Sequence, residues 1–293
     1  MKHVGKRGKL AYLVRYDLAM GFFSNRAKFV VAFACITALA AMFLSAIDAA
    51  ARYAEAMGMG ESSAGFGLVD VLAYFFAGSD YCRPDESVPF VLPIGWLIQQ
   101  VLVAVLVGNY AVRDLEGQAL QVLVRVGARQ AWWLSKCLWV AATVIAFYAA
   151  EAVVALIAAA AFGGFGAMGD VEAVGVLGFS LSALGGSHLA FLLLLPFALS
   201  LALSLAQVAL SVVAGPFIAF AAIVSFVVVS VYFGSPLLIG DCSMMMRSAF
   251  VQPGGVDVTV AFAVCAAVCA ASVTLGGLAF GRRDLVGGQD RAS

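Results

Sequence analysis

Residues 110–136 read YAVRDLEGQALQVLVRVGARQAWWLSK. This polar island carries Arg113, Asp114, Glu116, Arg125, Arg129 and Lys136, and long apolar runs flank it on both sides. Its flanks decide the fold class. The 293-residue chain is 63% hydrophobic and 12% charged, with a mean hydropathy of +1.02. Soluble domains carry roughly 45–50% apolar and about 25% charged residues. A bilayer core about 30 Å thick needs about 20 apolar residues per helical span. Runs of that kind lie at about 27–48, 89–111, 132–161, 187–211, 213–234 and 258–281. Without water, each must satisfy its own backbone hydrogen bonds, and continuous runs argue for helices and against a β-barrel. The expected fold is all-α: one transmembrane domain over 1–293 with six spanning helices.

Lysine and arginine set the orientation. Lys2, Lys6, Arg7, Lys9, Arg15, Arg26 and Lys28 precede or open the first run. Arg113, Arg125, Arg129 and Lys136 lie in the island, and Arg282, Arg283 and Arg291 follow the last run. Six spans place all of these on one side, which predicts cytoplasmic termini and a cytoplasmic island. Arg52, Arg83 and Arg247 fall on the other side, where Glu55, Glu61, Asp70, Asp80, Asp85, Glu86, Asp170, Glu172, Asp241 and Asp257 make the loops acidic. The formal net charge of zero hides this polarity. Topology explains the basic groups, so no nucleic-acid partner is expected. A multi-pass cytoplasmic (inner or plasma) membrane protein is.

The first apolar run exceeds the 7–15 residues of a signal-peptide core, so the first span is expected to be retained. Before it, residues 10–23, LAYLVRYDLAMGFF, set Leu10, Leu13, Val14, Leu18, Met20 and Phe22 broadly on one side. That pattern predicts an amphipathic helix in the inner headgroup layer, ending in a turn at Ser24–Asn25. Tyr110, Trp132 and Trp133 bracket the island as expected interfacial anchors, with Trp139 beyond them. The outer loop over about 49–88 contains GFGLVDVLAYFFAG, suited to a short interfacial or re-entrant helix. Pro93, Pro196 and Pro216 mark expected helix interruptions or starts, and Gly277 and Gly281 form a GxxxG pattern for close helix contact.

Cys35, Cys137, Cys265 and Cys269 fall within spans and read as packing residues, while Cys82 and Cys242 fall in outer loops where an oxidising exterior permits a disulfide. No CxxC pair or HExxH helix occurs, so no metal site is expected. A GxxxxGK[ST] phosphate loop is also missing from the chain, as is a GxSxG elbow, and neither an ATPase nor another enzyme is expected. Glu151 is the one acid deep in a span. An ionised acid there costs about 3 kcal/mol or more, so it must face a cavity or a partner. It reads either as a point on a substrate or proton path or as a structural contact between helices.

The run Arg113-Asp114, Gly117, Val124-Arg125-Val126-Gly127-Ala128-Arg129 and Trp132-Trp133-Leu134-Ser135-Lys136 resembles the inner loop of the permease subunits of type-2 ABC exporters. In that family a short coupling helix precedes a basic–aromatic re-entry of the form RxxWWxSK. Phe280-Gly281-Arg282-Arg283-Asp284-Leu285 is similar to the family's exit from its last span. The resemblance covers the whole chain by topology and these two patches by residue. It implies a permease pairing with a second copy or a paralogue around a path for an amphipathic or hydrophobic substrate such as a peptide, lipid or drug. A separate cytoplasmic ATPase would carry ATP and magnesium; this chain would carry no cofactor. Docking would use the leader helix and the coupling loop at about 111–131, through Arg113, Glu116, Leu120, Leu123, Val124, Arg125 and Arg129.

Two other classes remain open from sequence. A non-transporting assembly or immunity scaffold needs no polar path. An ion-coupled secondary carrier needs intramembrane ionisable groups, of which only Glu151 qualifies, and no internal repeat is visible.

Overall fold

A computed structural model describes residues 6–58, 66–81, 92–116, 129–163, 175–179, 181, 186–233 and 238–282. Among these, the chain is helical apart from short connections and one isolated bridge, Ser248–Val256. The helices are α1 (Lys6–Ala56), α2 (Leu68–Phe76), α3 (Ile94–Val107), α4 (Tyr110–Glu116), α5 (Arg129–Phe162), α6 (Gly186–Ala214), α7 (Pro216–Tyr232) and α8 (Val258–Arg282). Short 3-10 turns at Ile239–Ser243 and Met245–Arg247 lie between α7 and α8. Among the described residues, five stretches are long and apolar enough to cross a membrane: Leu10–Ala56, Ile94–Leu115, Arg129–Phe162, His188–Ala214 and Val258–Arg282. The α7 helix is shorter, at 17 residues.

The largest departure from expectation is α1. It runs unbroken for 51 residues, with no turn at Ser24–Asn25, so the residue 10–23 segment and the first span are one rod. At a rise of about 1.5 Å per residue it is about 77 Å long, over twice a bilayer core. Ser24 stays helical by bonding its own preceding turn, Oγ to the Gly21 carbonyl at 3.3 Å. Asn25 is buried against the bundle. Residues 49–56, expected in the outer loop, are its last turns.

Packing sets α1 parallel to α5. Gly21 leaves room for the Trp139 indole, since a Cβ there would lie 2.1 Å from Trp139 Nε1. At the other end Phe43 meets Phe66 edge-on, with ring centroids 5.2 Å apart. Phe66 in turn lies over Gly163 just past α5. The expected second span is two helices. It opens with Pro93 at the N-cap of α3 and breaks at Gly108, whose φ of +32° favours glycine. Lys28 donates to the freed Val105 carbonyl at 3.0 Å, closing that break. Pro196 lies inside α6, and Pro216 opens α7 after Gly215 at φ +91°.

These contacts give the bundle two ends. The island end collects the first turns of α1, α4, the start of α5 and the end of α8. The far end collects α2, the end of α7 and the 3-10 turns. In lipid, helix association relies on close packing and polar ties, because lipid tails are as apolar as leucine. Each end has such a tie.

At the far end Arg247 is fully buried. Its Nε donates to Ser79 O at 2.9 Å and Nη2 to Asp80 O at 3.2 Å, beyond the end of α2. Nη1 donates to Ser230 O at 2.7 Å and Nη2 to Val231 O at 2.7 Å, the last carbonyls of α7. Nη1 also meets Asp241 Oδ1 at 2.5 Å, and Tyr81 covers the guanidinium at 4.8 Å. A cation on orphan carbonyls at a helix C-terminus is favourable for dipole and hydrogen-bonding reasons alike. The expected short helix of the outer loop exists as α2, capped by the Gly67 N–H donating to Asp70 Oδ2 at 2.7 Å. It is packed into the protein core through Val71, Ala73, Phe75 and Phe76.

Candidate coupling site at the island end

Lys136 lies seven residues into α5 and is fully buried. Its Nζ meets Asp17 Oδ1 of α1 at 2.5 Å and Asp114 Oδ2 of α4 at 2.5 Å. Aromatic faces complete its shell: the Tyr110 and Trp132 rings lie 4.7 and 5.0 Å from Nζ. The carboxylates are held in turn. Tyr110 Oη donates to Asp17 Oδ1 at 3.0 Å, and Trp132 Nε1 to Asp114 Oδ2 at 3.2 Å. Asp17 Oδ2 is buried without a partner. One ammonium thus joins three helices that come from the leader, the entry to the island and the exit from it.

The two sequence patches that carry the family resemblance also meet. Arg129 Nη1 donates to Gly281 O at 2.9 Å and Gln130 Nε2 to Gly277 O at 3.2 Å. Trp133 Nε1 donates to Val273 O at 2.7 Å, and Trp132 stacks on Phe280 at 4.6 Å. The indole of Trp133 fits because position 276 is glycine: a Cβ there would lie 2.3 Å from it. Gly277 of the GxxxG pattern receives the same ring, so the close partner of that pattern is the start of α5.

Tyr110, Trp132 and Trp133 are therefore interior side chains, and Trp139 with them. Their rings face Asp17, Asp114 and the α8 backbone. Of the expected docking residues, Arg113 is exposed on α4, and Arg129 is exposed although bonded to Gly281. Glu116 ends α4. Leu120, Leu123, Val124 and Arg125 lie outside the described residues, as does Cys82. Its expected partner Cys242 is buried beside Asp241, and burial, then that charge, pushes its thiol up to about 11. Among the described residues no three His, Cys, Asp or Glu side chains gather where a metal ion would sit.

A family described as a protein of unknown function (DUF2705) matches residues 67–286. The chain belongs to the DUF2705 family. No curated protein matches it. The DUF2705 match begins just before α2 and ends just beyond α8. It includes Asp114, Lys136 and Arg247 and leaves out α1 with Asp17.

Within the same matched region lies a feature that composition concealed. Ser200, Ser204, Gln207 and Ser211 follow one another at i, i+4, i+7 and i+11 on α6, and all are buried. Gln207 Nε2 donates to Ala104 O at 3.0 Å, and Ser200 Oγ donates to Gln100 Oε1 at 2.9 Å, both on α3. Tyr148 of α5 shares a hydrogen bond with Ser200 at 2.8 Å. One turn further on, Glu151 is fully buried, and neither carboxyl oxygen has a hydrogen-bond partner. A polar seam thus runs between α3, α5 and α6. Its signal was readable as serine and glutamine on one helical face.

Proposed function

We propose that this chain is the membrane permease subunit of an ABC-type exporter driven by a separate cytoplasmic ATPase. The observation that carries this reading is the buried Asp17–Lys136–Asp114 cluster. A part that receives force from another chain must pass it on, and this cluster ties both ends of the island to the long α1 rod. Displacing the island therefore moves α1, α4 and α5 together, as rigid-body gating requires. The polar seam gives the same bundle an interior with hydrogen-bonding capacity, which a purely packed scaffold does not need. In this reading α7 is the sixth crossing; its 17 residues rise about 26 Å, close to a bilayer core. Both termini and the island face the cytoplasm by their basic residues. The energy source and the partner permease are other chains.

Affinity purification in mild detergent tests this. The expected result is co-recovery of an ATPase containing a phosphate loop, with two permease copies or a paralogue. Charge reversal at Arg129 (Arg129→Glu) or Arg125 (Arg125→Glu) should reduce that recovery at least several-fold while membrane insertion is unchanged. If wild-type protein brings down no ATPase, the exporter reading fails and a non-transporting scaffold takes its place.

A further inference from the structure

Glu151 poses a chemical question that the coupling cluster does not answer. Both its oxygens are buried and unpartnered, and burial alone, with no basic side chain acting on it, defines its surroundings among the described residues. An ionised carboxyl in that position is costly unless a positive, proton-donating group meets it. Its neighbourhood is otherwise oxygen-rich and aromatic. Tyr148 lies one turn back on α5, with its Oη bonded to Ser200 Oγ of α6, and Gln100 has its Oε1 engaged and its Nε2 unpartnered. The Tyr148 ring is packed by Phe76, Phe147 and Phe197 at centroid distances of 5.9, 5.5 and 5.7 Å. Glu151 is fully buried, yet Tyr148 keeps part of its surface open, so the site has an edge toward the outside of the bundle.

We propose that Glu151, with Tyr148, Ser200 and Gln100, binds the ammonium head of a lipophilic amine, whose apolar body lies along the partly open rings of Tyr148 and Phe197. An ammonium supplies the charge the carboxylate lacks and N–H donors for the hydroxyl and carbonyl oxygens. Aromatic faces accept both a cation and a hydrocarbon. An anionic amphiphile meets the one acid as a like charge, and a neutral one leaves it uncompensated. The proposal rests on the exporter reading for its biological sense and names the substrate class of that exporter.

The test uses the full-length chain in nanodiscs of zwitterionic lipid, with empty discs subtracted. The probes are a radiolabelled long-chain alkylamine and the alkanol of equal length, at a pH where the amine is protonated. Saturable amine binding is expected, at least tenfold tighter than alkanol binding. Glu151→Gln should weaken the amine at least tenfold and leave the alkanol unchanged, Tyr148→Phe should weaken it a few-fold, and Glu151→Asp, which keeps the charge, should retain selectivity. Thermal unfolding reports whether each variant is folded; if Glu151→Gln is not, Tyr148→Phe carries the test, and amine binding unchanged in it overturns the proposal. Equal binding of amine and alkanol, or amine binding unchanged in Glu151→Gln, overturns the proposal. So does an absence of saturable binding. ATPase recovery with no amine selectivity sinks this site alone; amine selectivity with no ATPase keeps the site and sinks the exporter.

Discussion

The two ends of the bundle each bury one cation completely, and they do it by opposite means. Arg247 at the far end bonds chiefly to backbone: carbonyls of Ser79, Asp80, Ser230 and Val231, with Asp241 as its charge partner. Lys136 at the island end bonds to side chains on two other helices, Asp17 and Asp114, and its shell keeps an unpartnered oxygen on Asp17. A guanidinium with five fixed donors on carbonyls defines one geometry. An ammonium between two carboxylates on separate rods joins those rods through side chains alone. The far end is built as a backbone clasp and the island end as a side-chain tie between helices.

The contrast makes its largest demand on Arg247→Lys. Lysine keeps the charge but cannot span the α2 and α7 carbonyls, leaving buried acceptors unmet. Each buried acceptor left unmet costs about 1–3 kcal/mol, and with carbonyls lost on both elements a total of about 4–5 kcal/mol is expected. Denaturant or thermal unfolding in detergent measures it; a loss below about 1 kcal/mol on that scale would remove the clasp.

Next comes Lys136→Met, which leaves Asp17 and Asp114 facing each other without their cation. About 3 kcal/mol is expected, at the lower end of the roughly 3–5 kcal/mol for breaking a buried ion pair, because one carboxyl can take up a proton. Adding Asp17→Asn to Lys136→Met should recover part of the loss, since it removes one of the two stranded charges. A double variant as unstable as the sum of the two singles would show that the groups do not form one unit.

The smallest effect concerns Cys242, near the clasp. Its thiol is pushed from 9.0 to about 11 by burial and Asp241. At pH 8 that leaves about 0.1% thiolate, against about 10% for an unshifted thiol, so alkylation in the folded protein should be about 100-fold slower than after denaturation. The neutral thiol is favoured by the fold. Its contribution to stability is complete below about pH 9 and falls away as pH rises through about 11. Equal alkylation rates in folded and denatured protein would place Cys242 outside the buried clasp.

Much of the fold was legible. Apolar run length located the helices from Ile94 to Arg282, because lipid enforces that length. The turn expected at Ser24-Asn25 is missing because packing of Gly21 and Asn25 against the bundle overrode local turn chemistry. Asp17 was one polar position in the leader LAYLVRYDLAMGFF and Lys136 read as a topological charge. Each residue was visible, but their pairing across 119 positions is a property of tertiary packing alone. Arg247 was a leftover of the charge count for the same reason. The serine–glutamine face of α6 is a different kind of miss. Its spacing is local and was present to be read, but the high leucine content around it hid four polar residues in a helix that passes as wholly apolar.

One consequence of the unbroken α1 concerns distance. Asp17 and Phe43 are contacts near its two ends, 26 residues apart on a helix without a hinge. At about 1.5 Å per residue they are separated by about 39 Å, so a tilt of about 5° at one becomes a displacement of about 3 Å at the other. That stroke is comparable to the width of a hydrogen bond, enough to make or break one. A stiff shaft of this length turns a small angle at one end into a displacement of hydrogen-bond size at the other.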